Sequence, residues 1–230
     1  MGQSRRSGQP PSGGARTIRC YDHALLVADA LARRQPVQRT AYFVGKGDAA
    51  DLLGDFETAV AHYQAAFTEA LAAASHHDAR GTVADLARRI GRLLGKLGRY
   101  AEAHRWMEQA LQILGEVHEE ADLVVAALVH THTGSLYVWE DKLDAAELAC
   151  RRALTLLGAW EHGSVTATAE NVLGVVCEIT GRWPEALDHF ENSRQLWENL
   201  GDRHQQALVS DNLALATSIA AISRRRCHLS

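Results

Sequence analysis

"LGRYAEAHRWMEQAL" occupies residues 97–111, and the chain states a version of it three more times. "LGDFETAVAHYQAAF" stands at 53–67, "EDKLDAAELACRRAL" at 140–154 and "TGRWPEALDHFENSR" at 180–194. Each phrase opens on a turn residue (Gly54, Gly98, Asp141, Gly181) and continues as an amphipathic helix. In each, a small residue (Ala59, Ala103, Ala146, Ala186) is followed four positions later by Tyr63, Met107, Cys150 or Phe190. Three further on comes another small one: Ala66, Ala110, Ala153 or Ser193. Twelve residues before the first small position lies a mid-helix glycine: Gly47, Gly91, Gly134 or Gly174. Ala214 takes the corresponding place in a last helix.

A glycine inside a helix costs about 1 kcal/mol relative to alanine, so four in one register require a packing reason. The reason consistent with the pattern is a second helix crossing so closely that a side chain would hold the axes apart. The phrase therefore marks the second member, B, of a repeated helix pair, and the glycine marks the first, A. Helix A is expected near 37–53, 77–97, 118–140 and 161–180, and helix B near 56–74, 100–115, 143–157 and 183–200. A lone B helix is read at 21–34 ("YDHALLVADALARR") and a lone A helix at 203–221. The glycine after three of the four A helices (Gly54, Gly98, Gly181) provides a left-handed C-cap, and the aspartate after Gly54 and Gly201 can cap the next helix.

This pattern resembles the tetratricopeptide repeat family over residues 20–221. The anchors advance from Gly54 to Gly98, Asp141 and Gly181, in steps of 44, 43 and 40 residues. The usual unit is about 34, so each pair is longer by one or two helical turns. Units of this length resemble those in the C-terminal arrays of bacterial signal-transduction ATPases and their associated transcriptional activators, and are similar to kinesin light chain repeats. The resemblance implies an all-α, right-handed superhelical solenoid of antiparallel helix pairs. It also implies a non-catalytic protein- or peptide-binding scaffold in bacterial signalling or transcription control.

Composition agrees with a helical core: 47% of the 230 residues are hydrophobic and only 6% aromatic. The formal net charge of −4 argues against wholesale nucleic-acid binding. Cys20, Cys150, Cys177 and Cys227 show no paired spacing, so a reduced, cytoplasmic protein is expected. Residues 1–19 read as a disordered basic tail and 222–230 as a short basic one. Either the array stops at its last helix or the chain is part of a longer regulator; an uncapped array end would favour a homodimer.

Sites of chemistry are weakly indicated. "GRLLGKL" at 91–97 has three residues between its glycines and no Ser or Thr after Lys96, so it is no phosphate loop. "GKGDAA" at 45–50 follows no strand, and "HEEAD" at 118–122 has Asp122 where a second metal-binding His would stand. No cofactor or metal is expected.

In the family the inner face of helix A holds a bound peptide. The residues flanking each crossing glycine are then the candidate groove: Arg88, Arg89 and Arg92, with Lys96 a turn further on; Thr131, His132 and Ser135; Asn171; and Asp211 with Asn212. Residues 80–99 carry Arg80, Arg88, Arg89, Arg92, Lys96 and Arg99 against Asp85 alone, a local charge of +5. That excess leads to the expectation of a partner with acidic side chains or a free C-terminus, which arginine's planar fork can grip at two points. Rival readings are an array closing on a small peptide signal, a hydrolase using His132 and Asn171, and nucleic-acid binding through the arginines.

Overall fold

Each A helix is followed, after a turn of three residues, by a B helix. The computed structural model describes residues 36–73, 80–117, 119–158 and 162–227, with side chains from Arg39 to Ala220. The helices in chain order are α1 (Pro36–Leu52), α2 (Phe56–Ala73), α3 (Arg80–Lys96), α4 (Tyr100–Leu114), α5 (Glu120–Trp139), α6 (Leu143–Leu157), α7 (Gly163–Ile179), α8 (Trp183–Asn199) and α9 (Arg203–Cys227). The expected A and B helices coincide with α1 to α8 within a few residues. The lone helix expected at 203–221 continues to Cys227. The one expected at 21–34, the leading tail and residues 74–79 lie outside the described residues. Among those described there is no strand, and no helix is long and apolar enough to cross a membrane.

The turns repeat as faithfully as the helices. Asp55 N–H donates to the Ala50 carbonyl at 3.0 Å, and the same six-to-one bond joins Arg99 to Leu94, Lys142 to Tyr137, Arg182 to Cys177 and Asp202 to Trp197. This is the Schellman ending, which needs a left-handed residue at the turn. Glycine fills that place four times in five; the exception is Asp141, with φ of 60°. Asp55 and Asp202 accept backbone N–H bonds from Thr58 and Gln205, each at 3.1 Å, so both cap the following helix as expected.

The helices group into two compact units, divided between Arg99 and Tyr100. In the first, α2 packs on α1 and α3. In the second, α6 packs on α5 and α8 on α7, with α4 against α5 and α9 against α7 and α8. All twelve repeated B-helix positions are buried, none more than 2% exposed. A Cβ added to Gly47 would stand 2.6 Å from the Tyr63 ring; at Gly134 it would meet Cys150 Sγ at 2.5 Å, and at Gly174 the Phe190 ring at 2.6 Å. The crossing glycine and the bulky B residue sixteen positions later therefore occupy one contact. Ser193 closes another by donating to the Ala167 carbonyl at 2.7 Å. Ala214, the counterpart of Gly174, is exposed, because none of the described helices crosses α9 there.

Candidate functional site

In the first unit the A-helix face is built of charges. Arg88 is 7% exposed, and its Nε and Nη2 donate to Asp85 Oδ1 at 2.8 and 2.6 Å. Arg89 Nε donates to Asp85 Oδ2 at 2.7 Å, and its Nη1 reaches back to Asp48 Oδ1 on α1 at 2.7 Å. Arg92 pairs with Asp51, and Lys96 lies 3.7 Å from the same carboxylate and 4.6 Å from the Phe56 ring centroid. The Tyr63 hydroxyl donates to Asp48 at 2.5 Å.

Burial, reinforced by Asp48, pushes the Tyr63 hydroxyl up to about 12, so it stays a donor. Burial alone would raise the Asp85 carboxyl, but Arg88 and Arg89 outweigh it and hold it below its ordinary value. Burial works against the Arg88 guanidinium in turn. Four cations thus meet three carboxylates, and Asp48 and Asp51 from the preceding helix pair answer Arg89, Arg92 and Lys96 of the charged residues counted along 80–99. Arg89 and Arg92 fasten α3 to α1, while Arg88 is buried against Asp85 of its own helix.

The second unit presents a different face. Thr131 is fully buried, its hydroxyl donating to the Ala127 carbonyl at 2.9 Å, so it belongs to the interior of α5. His132 is half-buried and already engaged within the fold. Ser135 and Asn171, by contrast, come together. They border an open cleft of about 200 Å³ between α5 and α7, whose other walls are Val138, Trp139, Val172 and Val175. Asn212 on α9 donates from Nδ2 to Asn171 Oδ1 at 3.1 Å, which extends the polar line one helix further. Asp211 is exposed beside it.

That hydrogen bond uses one acceptor of Asn171 and one donor of Asn212, leaving the Asn171 NH2 group and the Asn212 carbonyl for other partners. Trp139 is 45% exposed at the cleft, an unusual exposure for so large an apolar group. Reading the sequence for polar residues missed the apolar walls. Their signal was one helical turn away: Trp139 and Val175 stand four positions after Ser135 and Asn171, on the same helix faces.

Profiles described as tetratricopeptide repeat match residues 83–122 and 165–220. The chain is similar in structure to BtubC (BKLC) from P. vanneervenii, with a TM-score of 0.66 and 19% identity over 91% of this chain and 85% of that one. It is also similar to the apo form of RapI, with a TM-score of 0.62 and 10% identity over 88% of this chain; the match spans 54% of RapI. Both likenesses are likenesses of fold. No curated protein matches the sequence at a significant level.

Proposed function

The chain carries tetratricopeptide repeats, and on that premise we propose that it is a non-catalytic scaffold that holds an extended peptide segment of a partner protein in the α5–α7 cleft. The observation that carries this reading is the cleft itself: a neutral amide and a hydroxyl, Asn171 and Ser135, beside an exposed tryptophan and three valines. An extended chain has unsatisfied backbone N–H and C=O groups, and an asparagine side chain offers both complements. Trp139 offers the large apolar contact that anchors interfaces. Asn212 continues the amide line and Asp211 flanks it, so the segment runs from α5 across α7 toward α9. An acidic partner has less support than a neutral one, because Arg88, Arg89 and Arg92 are committed to Asp48, Asp51 and Asp85.

A place in bacterial signalling or transcription control rests on the long units, whose steps of 44, 43 and 40 residues resemble those of the regulator arrays. A cytoplasmic setting is supported by Cys150 and Cys177, both buried free thiols.

The test is selection of peptides from a displayed random library against the intact chain, followed by affinity measurement with Trp139→Ala and Asn171→Ala. Each variant is expected to lose at least about tenfold in affinity while keeping its helical circular dichroism. Binding by both variants as tight as wild type would remove the cleft from the recognition surface.

A further inference from the structure

A second, larger cleft of about 260 Å³ opens on a different face of α5, between α4 and α6. Its apolar walls are Met107 and Leu111 from α4 and Ala145, Leu148 and Ala149 from α6, with the Tyr137 ring on its floor. Leu148 is 60% exposed there. The polar groups sit at the two ends. At one, His104 Nε2 lies 2.6 Å from Glu140 Oε2 and its ring 4.9 Å from the Tyr137 ring, so this imidazole is already engaged. At the other stand His130 and Arg152.

Arg152 differs from its neighbour Arg151, which donates twice to Glu147 at 3.0 and 2.6 Å. Arg152 has no carboxylate partner among the described residues, and neither nitrogen of His130 has a hydrogen-bond partner among them. Glu108 also borders the cleft, and pairs with neither.

We propose that this cleft binds a short apolar group bearing a terminal carboxylate, the carboxylate seated between Arg152 and His130 and the apolar part against Leu148, Ala149 and Met107. An arginine fork and an imidazole N–H are matched donors for the two carboxylate oxygens. An inorganic anion would leave the apolar walls in water, whereas a drug-sized ligand needs a pocket of about 300 Å³ or more. The volume suits one leucine-sized residue. The ligand is then either the C-terminal residue of a peptide or a free monocarboxylic acid. Burial, and next the charge of Arg152, hold the His130 imidazole below its ordinary 6.5. A bound anion opposes both effects, so binding draws a proton onto His130 and strengthens as the pH falls. The other ionisable groups facing the cleft are His104, held by Glu140, together with Glu108 and the Tyr137 phenol. This site does not depend on the α5–α7 cleft.

The intact chain is titrated with N-acetyl-leucine, with N-acetyl-leucinamide and with hexanoate, following the His130 ring resonances by NMR. The acetyl group removes the ammonium that Glu108 would attract. Saturable binding of a carboxylate is expected with a dissociation constant on the order of millimolar, as suits so small a probe. Preference for N-acetyl-leucine identifies a peptide C-terminus and preference for hexanoate a free acid; either supports the site. The amide should bind at least about tenfold more weakly than the acid, and Arg152→Gln should abolish that difference. Arg152 is exposed and has no carboxylate partner among the described residues, so the variant should keep its fold, which circular dichroism checks; Leu148→Asn, expected to weaken both probes alike, is the second variant. Absence of saturable binding by either carboxylate, or an acid–amide difference that survives in Arg152→Gln, overturns the proposal. So does affinity that fails to rise below about pH 6.5.

Discussion

The two units use the same apolar packing and opposite polar chemistry on the face of their A helices. In the first, Gly47 seats Tyr63, and the polar face beside it is closed by Asp48, Asp51 and Asp85 against Arg88, Arg89 and Arg92. In the second, Gly134 and Gly174 seat Cys150 and Phe190, and the polar face is a short line of hydroxyl and amide around an open cleft. Charges that satisfy each other inside a fold stabilise or specify it but leave little to attract a partner. Neutral amides half-satisfied at a cleft still have bonds to offer. On the function proposed above, the first unit's polar residues serve structure and the second unit's serve recognition.

The largest test of that division is Asp85→Ala. It removes the carboxylate that the buried Arg88 shares with Arg89, and a loss of about 3 kcal/mol is expected in denaturant unfolding. A loss below about 1 kcal/mol would break the comparison, since the first unit's charges would then not be structural. The same pair gives a pH dependence. The Asp85 carboxyl is depressed in the folded state below its ordinary 3.8, so its contribution is present above that pH and is lost as pH falls through the depressed value. Wild type should lose stability in the acid range below about pH 4, and Asp85→Asn should flatten that part of the profile.

Next come the shared seats. Gly47→Val and Gly174→Val each drive a side chain into a buried ring, and each should cost about 3 kcal/mol. Similar values sharpen the comparison by showing that only the polar face differs; a neutral Gly47→Val would mean that the first unit packs differently after all. Burial, then the charges of Glu147 and Glu170, push the Cys150 thiol up to about 12. It should therefore resist alkylation at pH 8 in the folded chain and react once the second unit is unfolded.

Smaller effects follow. Asp141 holds the left-handed turn that glycine holds elsewhere, so Asp141→Gly should stabilise by about 1 kcal/mol in thermal unfolding. Asn171→Ala should change stability by about 0.5 kcal/mol or less, while costing the affinity described above. A large stability loss there would make the amide line structural, like the charges of the first unit, and erase the contrast.

The helix pairs and their register are legible in the sequence. The mid-helix glycines and the B-helix small–large–small spacing predicted the three close contacts that the structure describes. Asp141 was recognised as a turn residue only by its place in the repeat. The polar sites were less legible, since each rests on a residue from a neighbouring pair. Arg89 meets Asp48, Arg92 meets Asp51 and Asn212 meets Asn171, every time at a separation of 41 residues. That separation is close to the repeat step, so aligning the repeats could have paired these residues; counting charge within residues 80–99 could not. The α4–α6 cleft escaped notice because its three helix faces are each unremarkable alone.

The sequence by itself determined the secondary structure, the turns and the crossing points. Those depend on backbone geometry and steric size, which act within one helix pair and recur in every repeat. Only the tertiary structure decided which polar groups are spent and which remain available. Hydrogen bonding and ion pairing saturate, and the partner that saturates Arg89 or leaves Arg152 open is set by which side chain the next repeat brings alongside it.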